Sequence, residues 1–324
     1  MKAMVQHEYG PPEVLNLEDV ETPTPAADEV LLRIRAASVN PLDWHLSTGM
    51  PYIGRIGNGR RAPKQPIPGV DVAGTVEAVG SDVSTLSVGD DVFGVCDGAF
   101  AEYVSVAARR VALKPDNVSF EQAAAVPIAA FTALQALRDT GRLQAEQHVL
   151  INGASGGVGT FAVQIAKCLG ARVTAVCSTR NVDAVRGLGA EWVIDYTRED
   201  FTRGTERYDL ILDIAGNRSV ADRLRVLSPA GALVVIGGPK RGRLLGPAKA
   251  LIRAVVVGRI RRRRVVGMLA KPNPEDLGVL RAFLETGQVK PVVERTYSLT
   301  ELPTALSYVG AGHAQGKIVI EISA

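Results

Sequence analysis

Apolar and polar positions change rhythm twice along the chain. Over about the first hundred residues, short β-branched runs such as Val30–Arg35 and Val72–Val76 read as strands. Pro11-Pro12, Pro23, Pro25, Pro63, Pro66, Pro68 and Gly89-Asp90 interrupt them repeatedly, as in a compact β-rich domain. The texture changes near Ser119. Phe120–Arg138 has an alanine-rich helical pattern, and strand and helix then alternate. Strands are predicted at His148–Asn152, Val173–Cys177, Trp192–Ile194, Leu210–Asp213 and Leu233–Ile236. Helices are predicted at Thr160–Leu169, closed by Gly170, near Val182–Leu188, and at Val220–Leu227. The strand runs are continuously apolar, as expected for a parallel sheet covered by helices on both faces. After a helix at Glu275–Thr286 the chain returns to strand-like pieces, Val292-Val293 and Lys317–Ile322. The simplest organisation makes residues 1–122 and 271–324 one β-rich domain, with 123–270 an α/β insertion.

Composition narrows the classes. The chain has 324 residues, 46% hydrophobic and 22% charged, an ordinary globular balance. The N-terminal stretch lacks the apolar run of a secretory signal, and no run is long enough to span a bilayer, so a soluble, cytoplasmic protein is expected. Three cysteines without a C-x-x-C pair and four scattered histidines offer neither a disulfide framework nor ligand-like spacing, so no metal is expected. Net charge is only +3, yet Lys240–Arg264 holds ten basic residues and no acidic one. A solvated helix face or a subunit contact accounts for that segment. No aromatic residue interleaves the bases, so nucleic acid is not an expected partner. An anionic ligand stays open for Arg241 or Arg243.

The sharpest signal is Val149-Leu150-Ile151-Asn152-Gly153-Ala154-Ser155-Gly156-Gly157-Val158-Gly159, running into Thr160-Phe161-Ala162. It follows an apolar strand and opens a helix, which is where a dinucleotide turn must lie. Small residues let the backbone approach a pyrophosphate, and the free N–H groups of the helix start face the phosphates. Gly153, Ser155, Gly156, Gly157 and Val158 are therefore cofactor-binding candidates, with Gly159 packing the helix onto the strand. At the end of the next strand, Ser178-Thr179-Arg180-Asn181 carries no acid before Asp183. A carboxylate there would accept from a ribose 2′-OH. Ser178 and Arg180 instead suit a 2′-phosphate, and Tyr196 can close the same pocket, so NADP(H) is the expected cofactor.

These residues, with Pro68-Gly69-Val70-Asp71-Val72-Ala73-Gly74 and Asn40-Pro41-Leu42-Asp43-Trp44, resemble the medium-chain dehydrogenase/reductase superfamily over essentially the whole chain. Within it the chain is similar to the zinc-independent quinone oxidoreductase branch. The resemblance implies an α/β fold: a Rossmann-type doubly wound parallel sheet inserted into a β-rich GroES-like substrate domain. Where zinc alcohol dehydrogenases carry an early ligand cysteine this chain has Asn40, and their Gly-His-Glu is Gly69-Val70-Asp71.

For that branch the resemblance implies hydride transfer from NADPH to a quinone, or to the conjugated alkene of an enone or enal. It places Asn40 near the nicotinamide and substrate, and Tyr52 in the pocket. It adds Thr132, Ala215, Gly237 and Gly238 to the cofactor residues, and implies a homodimer formed near Val265-Val266-Gly267. The Asn40 amide can bond a substrate carbonyl or the ribose, and Tyr52 can stack on a planar substrate or donate to an enolate. Asn40 before Pro41 is equally a good turn residue, and Tyr52 equally a loop cap. Asp43 and His45 are polar neighbours able to donate protons, and Asp71 reads as a structural acceptor. Two alternatives remain: an NADP(H)-binding regulatory or RNA-associated protein, and a trans-acting enoyl reductase, with the Gly- and Arg-rich stretch Ile53–Lys64 shaping the mouth.

Overall fold

The computed structural model describes residues 1–237, 246–312 and 314–322, giving for 246–251 the backbone alone. The chain forms two compact units, Met1–Phe131 with Pro272–Ala324, and Thr132–Lys271. The divisions fall at 131/132 and 271/272, where the sequence pattern placed them at 122/123 and 270/271.

Antiparallel pairing builds the first unit. Strands β1 (Lys2–Val5) and β2 (Asn16–Asp19) form a ribbon. Strands β3 (Glu29–Val39), β4 (Asp71–Val79), β5 (Asp91–Val95), β6 (Tyr103–Ala107) and β7 (Val111–Leu113) belong to a seven-stranded sheet. Val30, Leu32 and Ile34 alternate into the core, and from Ala36 to Val39 every residue of β3 is buried, as in a strand covered on both faces. One edge of β3 pairs with β4. The other is shared between β6, at Glu29–Arg33, and a strand from the C-terminal tail, at Ala36–Val39.

The stretch expected as one helix from Phe120 to Arg138 is broken. Ser119 caps a short helix, Phe120–Ala124, by accepting from the Gln122 N–H. A second helix, Pro127–Gln135, follows and runs into a π-helical turn, Ala136–Gly141. Pro127 has no N–H with which to continue a helical ladder, so it ends one helix and opens the next. Just beyond it the Ile128 N–H donates to Asp71 at 2.9 Å, which ties the start of the second helix into the first unit.

The second unit is a six-stranded parallel sheet. Its strands are β8 (His148–Asn152), β9 (Arg172–Cys177), β10 (Trp192–Asp195), β11 (Tyr208–Asp213), β12 (Leu227–Val235) and β13 (Arg264–Gly267), in the order β10-β9-β8-β11-β12-β13. The order reverses between β8 and β11, and the crevice outside the carboxyl ends of strands at such a switch point is where α/β sheets bind ligands. Every residue of β8 is buried, in keeping with its continuous apolar run. Strands β14 (Val293–Ser298) and β15 (Lys317–Glu321) then return to the first unit, β15 lying between β14 and β3.

Candidate functional site

In the second unit, β8 delivers the chain into the glycine-rich turn. Gly153 adopts φ +95°, and a side chain there would press on Ala215. Gly156 caps the helix Gly157–Cys168. A Cβ on Gly159 would stand 2.1 Å from the Gly153 carbonyl oxygen, and one on Gly237 would stand 2.1 Å from that of Ile214. The turn can therefore be built only without side chains at these places. Ser155, Gly156, Gly157 and Val158 stay partly exposed at the helix start while Gly159 is buried. Four N–H groups there have no partner within the helix. A cradle of this kind fits a dinucleotide pyrophosphate.

The side chains around the turn are held by bonds that sequence reading missed. The Asn181 amide donates to Ser155 Oγ at 3.0 Å and Ser178 Oγ at 3.2 Å, so one buried asparagine ties the turn to the end of β9. Asn152 Nδ2 donates to Asp213 Oδ1 at 2.7 Å and to Asn217 Oδ1 at 2.9 Å, bracing β8 against β11. Asp213 is in turn paired with buried Arg223. An asparagine inside an apolar strand was the available signal, but its partner lies 61 residues on. Thr132 is buried on the helix Pro127–Gln135, and Ala215 is exposed just beyond β11. Arg180 is exposed, and Tyr196 is 45% exposed. Gly238, also expected to bind the cofactor, lies outside the described residues.

One carboxylate does approach the end of β9. Asp195 pairs in register with Cys177. Its oxygens accept from Thr179 Oγ1 at 2.5 Å and from the Thr197 backbone and hydroxyl at 3.0 and 2.8 Å. Those bonds, that from Thr179 foremost, hold its carboxyl below the usual range.

The first unit holds the other candidates. Asn40 caps the helix Pro41–Thr48 and is 3% exposed. Its Nδ2 donates to Asp71 Oδ2 at 2.8 Å, and its Oδ1 accepts from Lys317 Nζ at 2.5 Å. A cation can only donate and a carboxylate can only accept, so these neighbours dictate which way the amide faces. Asp71 also accepts from Ser38 Oγ at 2.8 Å, which makes it the structural acceptor expected from its apolar surroundings. His45 Nδ1 lies 2.7 Å from the Met50 carbonyl oxygen. Tyr52 sits past the other end of that helix and is 42% exposed. Eight helical residues separate it from Asn40, about 12 Å at the usual rise per residue. Asn40 and Tyr52 therefore stand at opposite ends of one element.

Among the described residues no group of three or more His, Cys, Asp or Glu side chains could hold a metal ion, and no helix is long and apolar enough to cross a membrane. In the basic segment, Arg263 donates to the carbonyl oxygens of Leu227 and Ser228, and Arg264 to that of Thr140, while Arg253, Arg259, Arg261 and Arg262 are exposed.

A nucleotide-type parallel sheet joined to an antiparallel unit that receives both chain ends defines a two-unit dehydrogenase/reductase. Residues 26–116 match the alcohol dehydrogenase GroES-like domain, and residues 188–320 the domain described as zinc-binding dehydrogenase. The chain is 34% identical to 2-methylene-furan-3-one reductase of Solanum lycopersicum, over 99% of this chain and 79% of that protein. It is 33% identical, with the same two coverages, to the chloroplastic NADPH-dependent alkenal/one oxidoreductase of Arabidopsis thaliana. The quinone oxidoreductase structure from Coxiella burnetii superposes with a TM-score of 0.88 at 31% identity, covering 100% of this chain and 99% of that one. The chain belongs to the medium-chain dehydrogenase/reductase superfamily, in its zinc-independent quinone oxidoreductase branch, a family of NAD(P)-dependent oxidoreductases.

Asp43 makes the first unit sensitive to pH. Its Oδ2 accepts from the Asn40 N–H at 2.7 Å, and its Oδ1 has no partner among the described residues. Burial raises its carboxyl from the usual 3.8 to about 7, with the Asn40 bond opposing the shift. Between those values the folded chain keeps a proton that the unfolded chain has released, so stability falls as pH rises through the window and levels off above about 7. An Asp43→Asn variant lacks this slope. In denaturant titrations the stability of the wild type relative to the variant is expected to drop by a few kcal/mol from pH 4 to pH 7. Parallel curves would show that Asp43 is ionised in the folded protein throughout.

Proposed function

We propose that this protein is an NADPH-dependent reductase that delivers hydride to a quinone, or to the β-carbon of a conjugated enone or enal, without a metal. The glycine cradle at Gly153–Gly159 carries the reading, because close backbone approach is what a pyrophosphate needs and a side chain would forbid. Bound NADPH supplies the hydride. Gly153, Ser155, Gly156, Gly157 and Val158 hold its phosphates, with Thr132, Ala215, Gly237 and Gly238 completing the cofactor set. Ser178, Arg180 and Tyr196 receive the 2′-phosphate. Asp195 is turned to Thr179 and Thr197, and the Arg198 guanidinium 3.4 Å from its Oδ2 offsets its charge in part. Asn40 orients the substrate carbonyl and donates to its oxygen as charge develops there, and Tyr52, past the far end of the same helix, offers its ring to a planar part of the substrate. Water returns the proton. The names of the tomato and Arabidopsis relatives, an enone-type reductase and an NADPH-dependent alkenal/one oxidoreductase, support the same substrate class.

We further propose a homodimer. Strand β13 is an edge of its sheet, and the helix Gly246–Ile260 exposes Ile252, Val255, Val256 and Ile260 on one face. Light scattering at micromolar concentration is expected to give twice the chain mass, and a monomer there would contradict the assignment.

Absorbance at the nicotinamide band tests the chemistry. NADPH is expected to be oxidised with 2-alkenals, 2-alkenones and quinones, and saturated primary alcohols are expected to be poor substrates with NADP+. Arg180→Ala is expected to raise the KM for NADPH by about tenfold or more, with little change for NADH. Turnover confined to saturated alcohols, or an unchanged NADPH preference in the variant, would overturn these assignments.

A further inference from the structure

Arg55 stands apart from the other arginines on the loop that follows the helix Pro41–Thr48. Its guanidinium carbon lies 4.4 Å from the centre of the Tyr9 ring and 4.6 Å from that of Tyr52. Its Nε donates to the Gly49 carbonyl oxygen at 2.9 Å. The packing is tight: Gly49 adopts φ +60°, and a Cβ there would stand 2.6 Å from both Arg55 Nε and the Tyr9 ring. Tyr9 is anchored in turn, its hydroxyl donating to the carbonyl oxygens of Asn58 and Gly59, each at 2.9 Å. The guanidinium is therefore held in place by two rings and a backbone oxygen.

Its outer edge is a different matter. Among the described residues no carboxylate or carbonyl oxygen pairs with the two terminal nitrogens of Arg55, which carry four N–H groups. The nearest acids in the chain on either side are Asp43 and Asp71, and residues 44–70 carry Arg55, Arg60, Arg61 and Lys64 without one Asp or Glu. A fixed guanidinium with a free in-plane edge is built for an acceptor with two oxygens, a carboxylate or a phosphate.

We propose that Arg55 is the anchor of a substrate subsite for an oxyanion, so that the preferred substrates are conjugated carbonyl compounds bearing a carboxylate or phosphate remote from the alkene. This rests on the reductase reading and on Asn40 as the carbonyl partner. The separation follows from the helix between them, eight residues or about 12 Å at the usual rise. A short enone cannot bridge that distance. A long-chain oxo-enoic acid or an enoyl thioester of coenzyme A can.

Two matched pairs test the subsite with NADPH. One is an oxo-decenoate, with aldehyde and carboxylate at opposite ends, against its methyl ester. The other is crotonyl-coenzyme A against crotonyl-N-acetylcysteamine. In at least one pair the wild type is expected to show a KM about tenfold lower for the anionic member at low ionic strength, a preference that shrinks with added salt. The pair that shows it separates carboxylate from phosphate. Arg55→Gln keeps a donor towards Gly49 and removes the charge, and the KM ratio is expected to collapse towards one. A ratio near one in the wild type for both pairs, or an unchanged ratio in the variant, overturns the subsite while the neutral members still report reductase activity. Absence of turnover with all four compounds overturns the reductase reading, and the subsite with it.

Discussion

A carboxyl group buried beyond the reach of water needs donors in place of the water it has lost. Asp71 meets that condition with four: Ser38 Oγ, Asn40 Nδ2, the Ile128 N–H and Lys317 Nζ. Those donors come from the first long strand, the cap of the following helix, the start of a later helix and the last strand. The pairing explains why the C-terminal tail must come back to the first unit. Without Lys317 the charge on Asp71 would be uncompensated, and the Asn40 amide would lose the cation that faces its oxygen. Asp43 is buried with one donor on its Oδ2 and, among the described residues, no partner for its Oδ1, and that burial raises its carboxyl to about 7.

In the second unit the governing constraint is steric. Gly159 lies so close to the Gly153 carbonyl oxygen that a methyl group would overlap it, and Gly237 is as tightly placed against Ile214. Backbone approaches backbone at the carboxyl ends of β8, β11 and β12, and the surface of the helix start beside them stays partly exposed. Asn181 and Asn152 then fix the two sides of that surface from beneath. The main chain shapes that surface, and the asparagine side chains hold it in place.

Much of this was legible in the sequence, for physical reasons. The period-two alternation of β3 and the unbroken apolar run of β8 report directly on which faces are buried, and the glycine spacing after β8 reports on a turn that tolerates nothing larger. Local rules located these elements to within a few residues. They missed the break at Pro127, where an alanine-rich pattern concealed the missing N–H. They also missed pairings distant in sequence. Lys317 reads as an odd charge in an apolar strand until Asp71, 246 residues away, is placed beside it. Asp195 lies outside the Ser178–Asn181 stretch that follows β9, yet parallel pairing brings it level with Cys177. The stacking of Arg55 between Tyr9 and Tyr52 depends on a loop geometry that composition does not encode.

The two units differ in what they offer: main-chain N–H groups at a helix start in one, and a buried, oriented Asn40 amide in the other. Hydride addition to a conjugated alkene asks for little more, because the cofactor brings the reactive hydrogen and water returns the proton. The most direct test is isotopic. NADPH deuterated at C4, reacted with an enone in ordinary water, is predicted to leave deuterium on the β-carbon and ordinary hydrogen on the α-carbon of the saturated product. Deuterium on the carbonyl carbon of an unsaturated alcohol would contradict the account.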